Sequence, residues 1–153
     1  MKNAVDLLTG NLILNLSILA WGVAQVMKFF IVLFTEGRMD WQKILASGGM
    51  PSSHSATVCA CASSVGYLYG TASPIFSIAA VLAVVVMYDA AHVRRAVGEQ
   101  GRILNRIIEN WDKIDPNFVE QSLKEILGHT LLQVIIGALL GVAIGLGGAW
   151  AWG

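Results

Sequence analysis

Four apolar runs, each about long enough to cross a bilayer as a helix, leave this 153-residue chain little alternative to a bundle of membrane spans. Inside lipid every backbone N–H and C=O must find its partner within the segment, and a hydrocarbon core about 30 Å thick takes about 20 residues of helix. The runs are 12–34, 54–72, 74–91 and 130–152. The first is interrupted by Asn15, Gln25 and Lys28, and the second is rich in Ala, Ser, Cys and Gly. The third, with IAAVLAVVV at its centre, is the cleanest, and the fourth carries no charge. Composition agrees: 13% of residues are charged and 56% hydrophobic, where a soluble domain has about a quarter charged. The expected fold is an all-α integral membrane protein, a single multi-pass domain of about four transmembrane helices. Ten basic residues balance ten acidic ones, so there is no general attraction to nucleic acid.

Between the third and fourth runs, residues 92–128 form a polar segment in which Val93, Val97, Ile103, Leu104, Ile107, Ile108 and Trp111 recur at helical spacing. The third span is expected to continue into this amphipathic helix. Asp115 and Pro116 then predict a new helix start, with Phe118, Val119, Leu123, Ile126 and Leu127 on one face. The segment is thus a helical insertion between the third and fourth spans. Four spans place both termini on one side of the membrane and the 35–53 and 92–128 segments on the other. The loop side holds Arg38, Lys43, Arg94, Arg95, Arg102, Arg106, Lys113 and Lys124, against Lys2 alone on the terminal side. Basic residues accumulate on the cytoplasmic side, so the loops are expected there, in the cell membrane, with both termini external. Gly137, Gly141 and Gly145 line one face of the fourth span and permit close helix approach. Their partner is either a second copy of the chain or the small-residue second span.

This topology gathers chemistry at the cytoplasmic membrane face. SGGMPSSH opens the second span, Asp89, His92, Arg94 and Arg95 close the third, and Gly128-His129-Thr130 opens the fourth. Lys28, with Gln25 one turn before it, lies in the same half of the first span. Each residue has an ordinary explanation: Lys28 can snorkel, the arginines can anchor the membrane face, and His54 can merely begin a helix. Their convergence instead points to an anion site, since ionisable residues inside a membrane default to function. The glycines and Pro51 permit a tight entry to the second helix, and Ser52 or Ser53 can cap it. Its amide N–H groups and positive dipole end then face an anion such as phosphate, with His54 beside it as a proton donor. Asp89 can fix Arg94 or Arg95. A rival reading joins Asp89, His92 and Glu99 with His54 as a metal site, although a carboxylate and imidazole three apart more often make a polar contact. No metal and no cofactor is called for. Cys59 and Cys61 lie on different helix faces and read as small packing residues.

MPSSHSA resembles the Pro-Ser-Gly-His motif of the type 2 phosphatidic acid phosphatase superfamily, which is related to the vanadium-dependent haloperoxidases. SGGMPSSHSA, YDAAHVRRAVGEQGRILN and LKEILGHTLLQVIIGALLG together resemble its small divergent membrane branch, over Gln25 to Gly141. The resemblance implies a membrane phosphatase that hydrolyses a lipid phosphate or pyrophosphate through a phosphohistidine. His129 matches the attacking histidine and His54 the acid that protonates the leaving oxygen. Lys28, Ser52, the amide of Ser53, and Arg94 or Arg95 match the phosphate-binding set. Where the superfamily has an aspartate four residues after the attacking histidine, this chain has Gln133, and residues 96–128 separate the arginines from His129. A non-catalytic binder or carrier of phospholipid headgroups is the alternative.

Overall fold

The fold is described from a computed structural model over residues 9–37, 49–109 and 129–153. It is all-α. Helix α1 is Leu12–Glu36, α2 is Ser53–Tyr69, α3 is Pro74–Tyr88, α4 is Arg94–Glu109 and α5 is Leu131–Trp152, with a π turn, Asp89–Val93, joining α3 to α4. The expected cap at Asp115 and the helix after it lie outside the described residues.

Local sequence sets where each membrane helix begins. Asn11, Ser52, Ser73 and Thr130 each accept a hydrogen bond from a backbone N–H in the first turn of the helix that follows. Such caps satisfy one of the donors that a helix start leaves over. Pro74 stands in the first turn of α3, where its missing N–H costs nothing. Gly37 ends α1 in the left-handed conformation, φ 66°, and returns its N–H to the Leu33 carbonyl.

Helix α1, the α3–α4 rod and α5 are long and apolar enough to span a membrane. Helix α2 differs. Its 17 residues rise about 26 Å, and it stops at Gly70 rather than reaching residue 72 as the hydropathy suggested. It packs against α1, α3 and α5. That position explains its weak hydropathy: a helix enclosed by protein needs small side chains more than lipid-soluble ones. Ala20 and Ala24 of α1 and Ala56 and Ala60 of α2 are fully buried together, with Leu140 and Ile144 of α5 against them. By contrast Ile78, Val81, Val84 and Val85 of α3 face outward, as lipid contact requires.

The three glycines of α5 resolve the choice between a second copy and the second span. A side chain on Gly137, Gly141 or Gly145 would run into the Ser52, Ala56 or Ala60 carbonyl of α2. All three are buried within the chain, so this stripe is the intramolecular α2–α5 seam and is not exposed for dimerisation.

The third span runs on past residue 91, as expected. After the π turn the chain continues as helix to Glu109, so the rod is longer than a bilayer core and projects beyond it. A π turn takes carbonyls off the regular ladder. The Ala90 carbonyl is used here by the amide of His129, at 3.1 Å, which ties the start of the last span to the end of the third.

Candidate functional site

The entry to α2 is built around Lys28. Gly49, at φ 96°, brings its backbone against the lysine stem; a Cβ there would lie 3.3 Å from Lys28 Cδ. Pro51 is buried, and Ser52 and Ser53 follow it into α2, both buried. The Ser52 hydroxyl accepts from the Ser55 hydroxyl at 3.0 Å and from the Ser55 amide at 3.4 Å. The Ser52 amide donates to the Gln133 carbonyl at 3.0 Å. The starts of α2 and α5 are therefore locked together, and Lys28, on α1, is only 1% exposed beneath them.

His129 completes the group. It is fully buried, and its ring meets that of His54 edge to face, centroids 6.1 Å apart. Its Nδ1 is 3.3 Å from Gln133 Oε1, and its Nε2 is buried with no hydrogen-bond partner among the described residues. Burial holds the His129 imidazole below its ordinary pKa of 6.5; the nearby Lys28 ammonium and His54 push the same way, while the Gln133 contact and the Gly49 backbone oppose them. The protein thus keeps this ring neutral where a free histidine would already be charged.

A pH dependence follows. The folded chain binds its proton to His129 less readily than the unfolded chain does. The contribution to stability is therefore intact above pH 6.5 and is lost as pH falls through the lowered folded value. Titration of His129 by NMR should give a midpoint below the ordinary histidine value of 6.5. A midpoint at or above 6.5 would contradict this account of the ring's surroundings.

Of the residues singled out in the sequence, Lys28, Ser52, Ser53, His54, His129 and Gln133 belong to this cluster or to the helix starts that frame it. Gln25 lies one turn before Lys28, with Oε1 buried and unpartnered among the described residues. Asp89 lies in the π turn and is partly exposed. The expected contacts of the Arg94 and Arg95 side chains lie outside the described residues. His92 is not part of the cluster: it is exposed and stacks on Tyr88, rings 4.4 Å apart and 18° from parallel. Among the described residues no three His, Cys, Asp or Glu side chains are grouped to hold a metal, so the reading that joined His92 and Glu99 to His54 is not supported. Two contributors were not anticipated, the Gly49 backbone over Lys28 and the Ala90 carbonyl under His129. Neither carries a chemical side chain, and only the left-handed backbone of Gly49 has a sequence signal, its GG pair.

Residues 9–144 match the family described as the divergent PAP2 family. The chain is 36% identical over 150 residues to the "Uncharacterized membrane protein YuiD" of Bacillus subtilis (strain 168), covering 92% of this chain and 94% of that protein. No solved structure matches. A match that takes in α1 through most of α5, with Lys28 and both clustered histidines inside it, identifies the chain: it belongs to the divergent PAP2 family.

Proposed function

We propose that the protein is a membrane phosphatase that hydrolyses a lipid phosphate or pyrophosphate through a phosphohistidine at His129. The observation that carries this reading is the meeting of His54 and His129 beside buried Lys28 at the amide end of α2. Lys28 and the first-turn N–H groups of α2 bind the phosphoryl oxygens and stabilise the charge they carry in the transition state. Nε2 of neutral His129 attacks phosphorus as the P–O bond to the lipid breaks, and His54 gives its proton to the departing oxygen. In the second step His54 takes a proton from water, the oxygen bonds to phosphorus, and the P–N bond breaks to release phosphate and neutral His129. Arg94 or Arg95, positioned by Asp89, is the further phosphate ligand in this proposal, and Gln25 supports Lys28.

A headgroup binder without turnover is separated from the enzyme by one assay. Purified protein in mixed micelles is given phosphatidic acid, lysophosphatidic acid and isoprenyl pyrophosphates, and both lipid binding and phosphate release are measured. Release that is lost in His54→Ala and His129→Ala supports the phosphatase; tight binding with no release establishes the binder instead.

The charge distribution further supports placing this site at the cytoplasmic face. A carboxy-terminal alkaline phosphatase fusion should then be active, and a carboxy-terminal green fluorescent protein fusion dark. The opposite pattern would reverse the orientation.

A further inference from the structure

We propose that Gln133 is a positioning residue that selects the reactive tautomer of His129 without lending it negative charge. This rests on His129 acting as the nucleophile only for its kinetic consequences; the tautomer follows from the hydrogen bonds themselves.

Gln133 Oε1 takes the Thr130 backbone N–H at 3.0 Å, completing a capping box at the start of α5 in which Thr130 receives the Gln133 amide in return. A backbone N–H can only donate, so the side-chain atom facing it is the oxygen, which can only accept. His129 Nδ1 lies 3.3 Å from that same oxygen. It must therefore carry the proton, which leaves the lone pair on Nε2, the nitrogen that is buried and unpartnered among the described residues. One amide oxygen thus begins a helix and aims a nucleophile.

Charge makes the arrangement distinct from one built on a carboxylate. Besides Gln133, the groups that act on His129 are Lys28 from α1, His54 from α2 and the Gly49 backbone, and at this level the π turn presents the Ala90 carbonyl to the His129 backbone. An acid at position 133 would offset Lys28 and favour imidazolium, the unreactive form. A neutral amide orients the ring equally and leaves it unprotonated at lower pH.

The test uses the full chain in detergent micelles, labelled with 15N-histidine. Nitrogen spectra should show His129 with a protonated Nδ1 and an unprotonated Nε2 at neutral pH. Gln133→Leu should redistribute the two tautomers, and Gln133→Glu should keep the Nδ1–H form while raising the His129 midpoint by about one pH unit. A wild-type Nε2–H form, or a tautomer unchanged in Gln133→Leu, would overturn the proposal whether or not the protein turns over substrate. In the kinetics, Gln133→Glu should move the acid limb of kcat upward by about the same amount. Gln133→Leu should lower kcat about tenfold or more with KM little changed. Unchanged profiles in an active enzyme would also overturn it, whereas absence of turnover with the spectra as expected would count against the phosphatase alone.

Discussion

Replacing His129 by alanine is expected to reduce phosphate release by about 10³-fold or more, while the fold is retained. The magnitude follows from its role: without Nε2 there is no covalent intermediate, and water must attack phosphorus without an activating base. His54→Ala should cost about 10²- to 10⁴-fold, the usual range for a lost general acid. The two losses should not add. Both histidines serve one phosphoryl transfer, so the double variant should be little worse than His129→Ala alone. Leaving-group dependence separates their roles. With a substrate whose leaving oxygen is already a weak base, such as p-nitrophenyl phosphate, His54→Ala should recover much of its activity and His129→Ala should not. Equal recovery in both variants would remove the division of labour proposed for them. Phosphate release within twofold of wild type in His129→Ala would end the phosphohistidine mechanism.

The second large effect is structural. Gly141→Ala should destabilise the bundle by about 3 kcal/mol. Its Cβ would run into the Ala56 carbonyl, which belongs to a helix backbone and cannot turn aside as a side-chain tip can. The helices must separate, and the Ala20–Ala56 layer beside the seam then loses its contacts as well. Gly147→Ala, on the same helix, is the matched control: nothing lies within 4 Å of its added Cβ, so its stability should change by less than about 1 kcal/mol. Thermal unfolding in detergent compares the two directly. Similar midpoints would show that the α2–α5 seam is looser than the geometry requires. Because α2 carries Ser52 and His54 while α5 follows His129, residual activity in Gly141→Ala should fall with stability.

The element most open to misreading was α2. Its serines, cysteines and glycines make a poor lipid-facing helix, and hydropathy alone treats it as the weakest span. The small residues that lower its hydropathy are the ones that admit Gly137, Gly141 and Gly145 from α5. Those glycines are legible as a close-contact stripe, but spacing does not name the partner, since a second copy and a neighbouring helix demand the same small face. The candidate site was legible for similar reasons and to a similar depth. Lys28, His54 and His129 stand out because a charged or titratable group at membrane depth is costly, and four spans bring them to one level. His92 stood out equally and proved to be exposed, stacked on Tyr88, because the π turn and helix phase decide which way a side chain near a span end points.

The sequence by itself determined the class of fold, the start of each membrane helix and the inventory of reactive groups, because hydropathy, caps and intramembrane charge are local properties. The tertiary structure decided which groups meet. Contacts such as His129 to the Ala90 carbonyl, Gly49 over Lys28 and Gly137 over Ser52 involve backbone atoms, whose chemistry is the same at every residue. Only the packed bundle distinguishes one carbonyl from another, and that packing sets His129 beside His54 with Gln133 holding its ring.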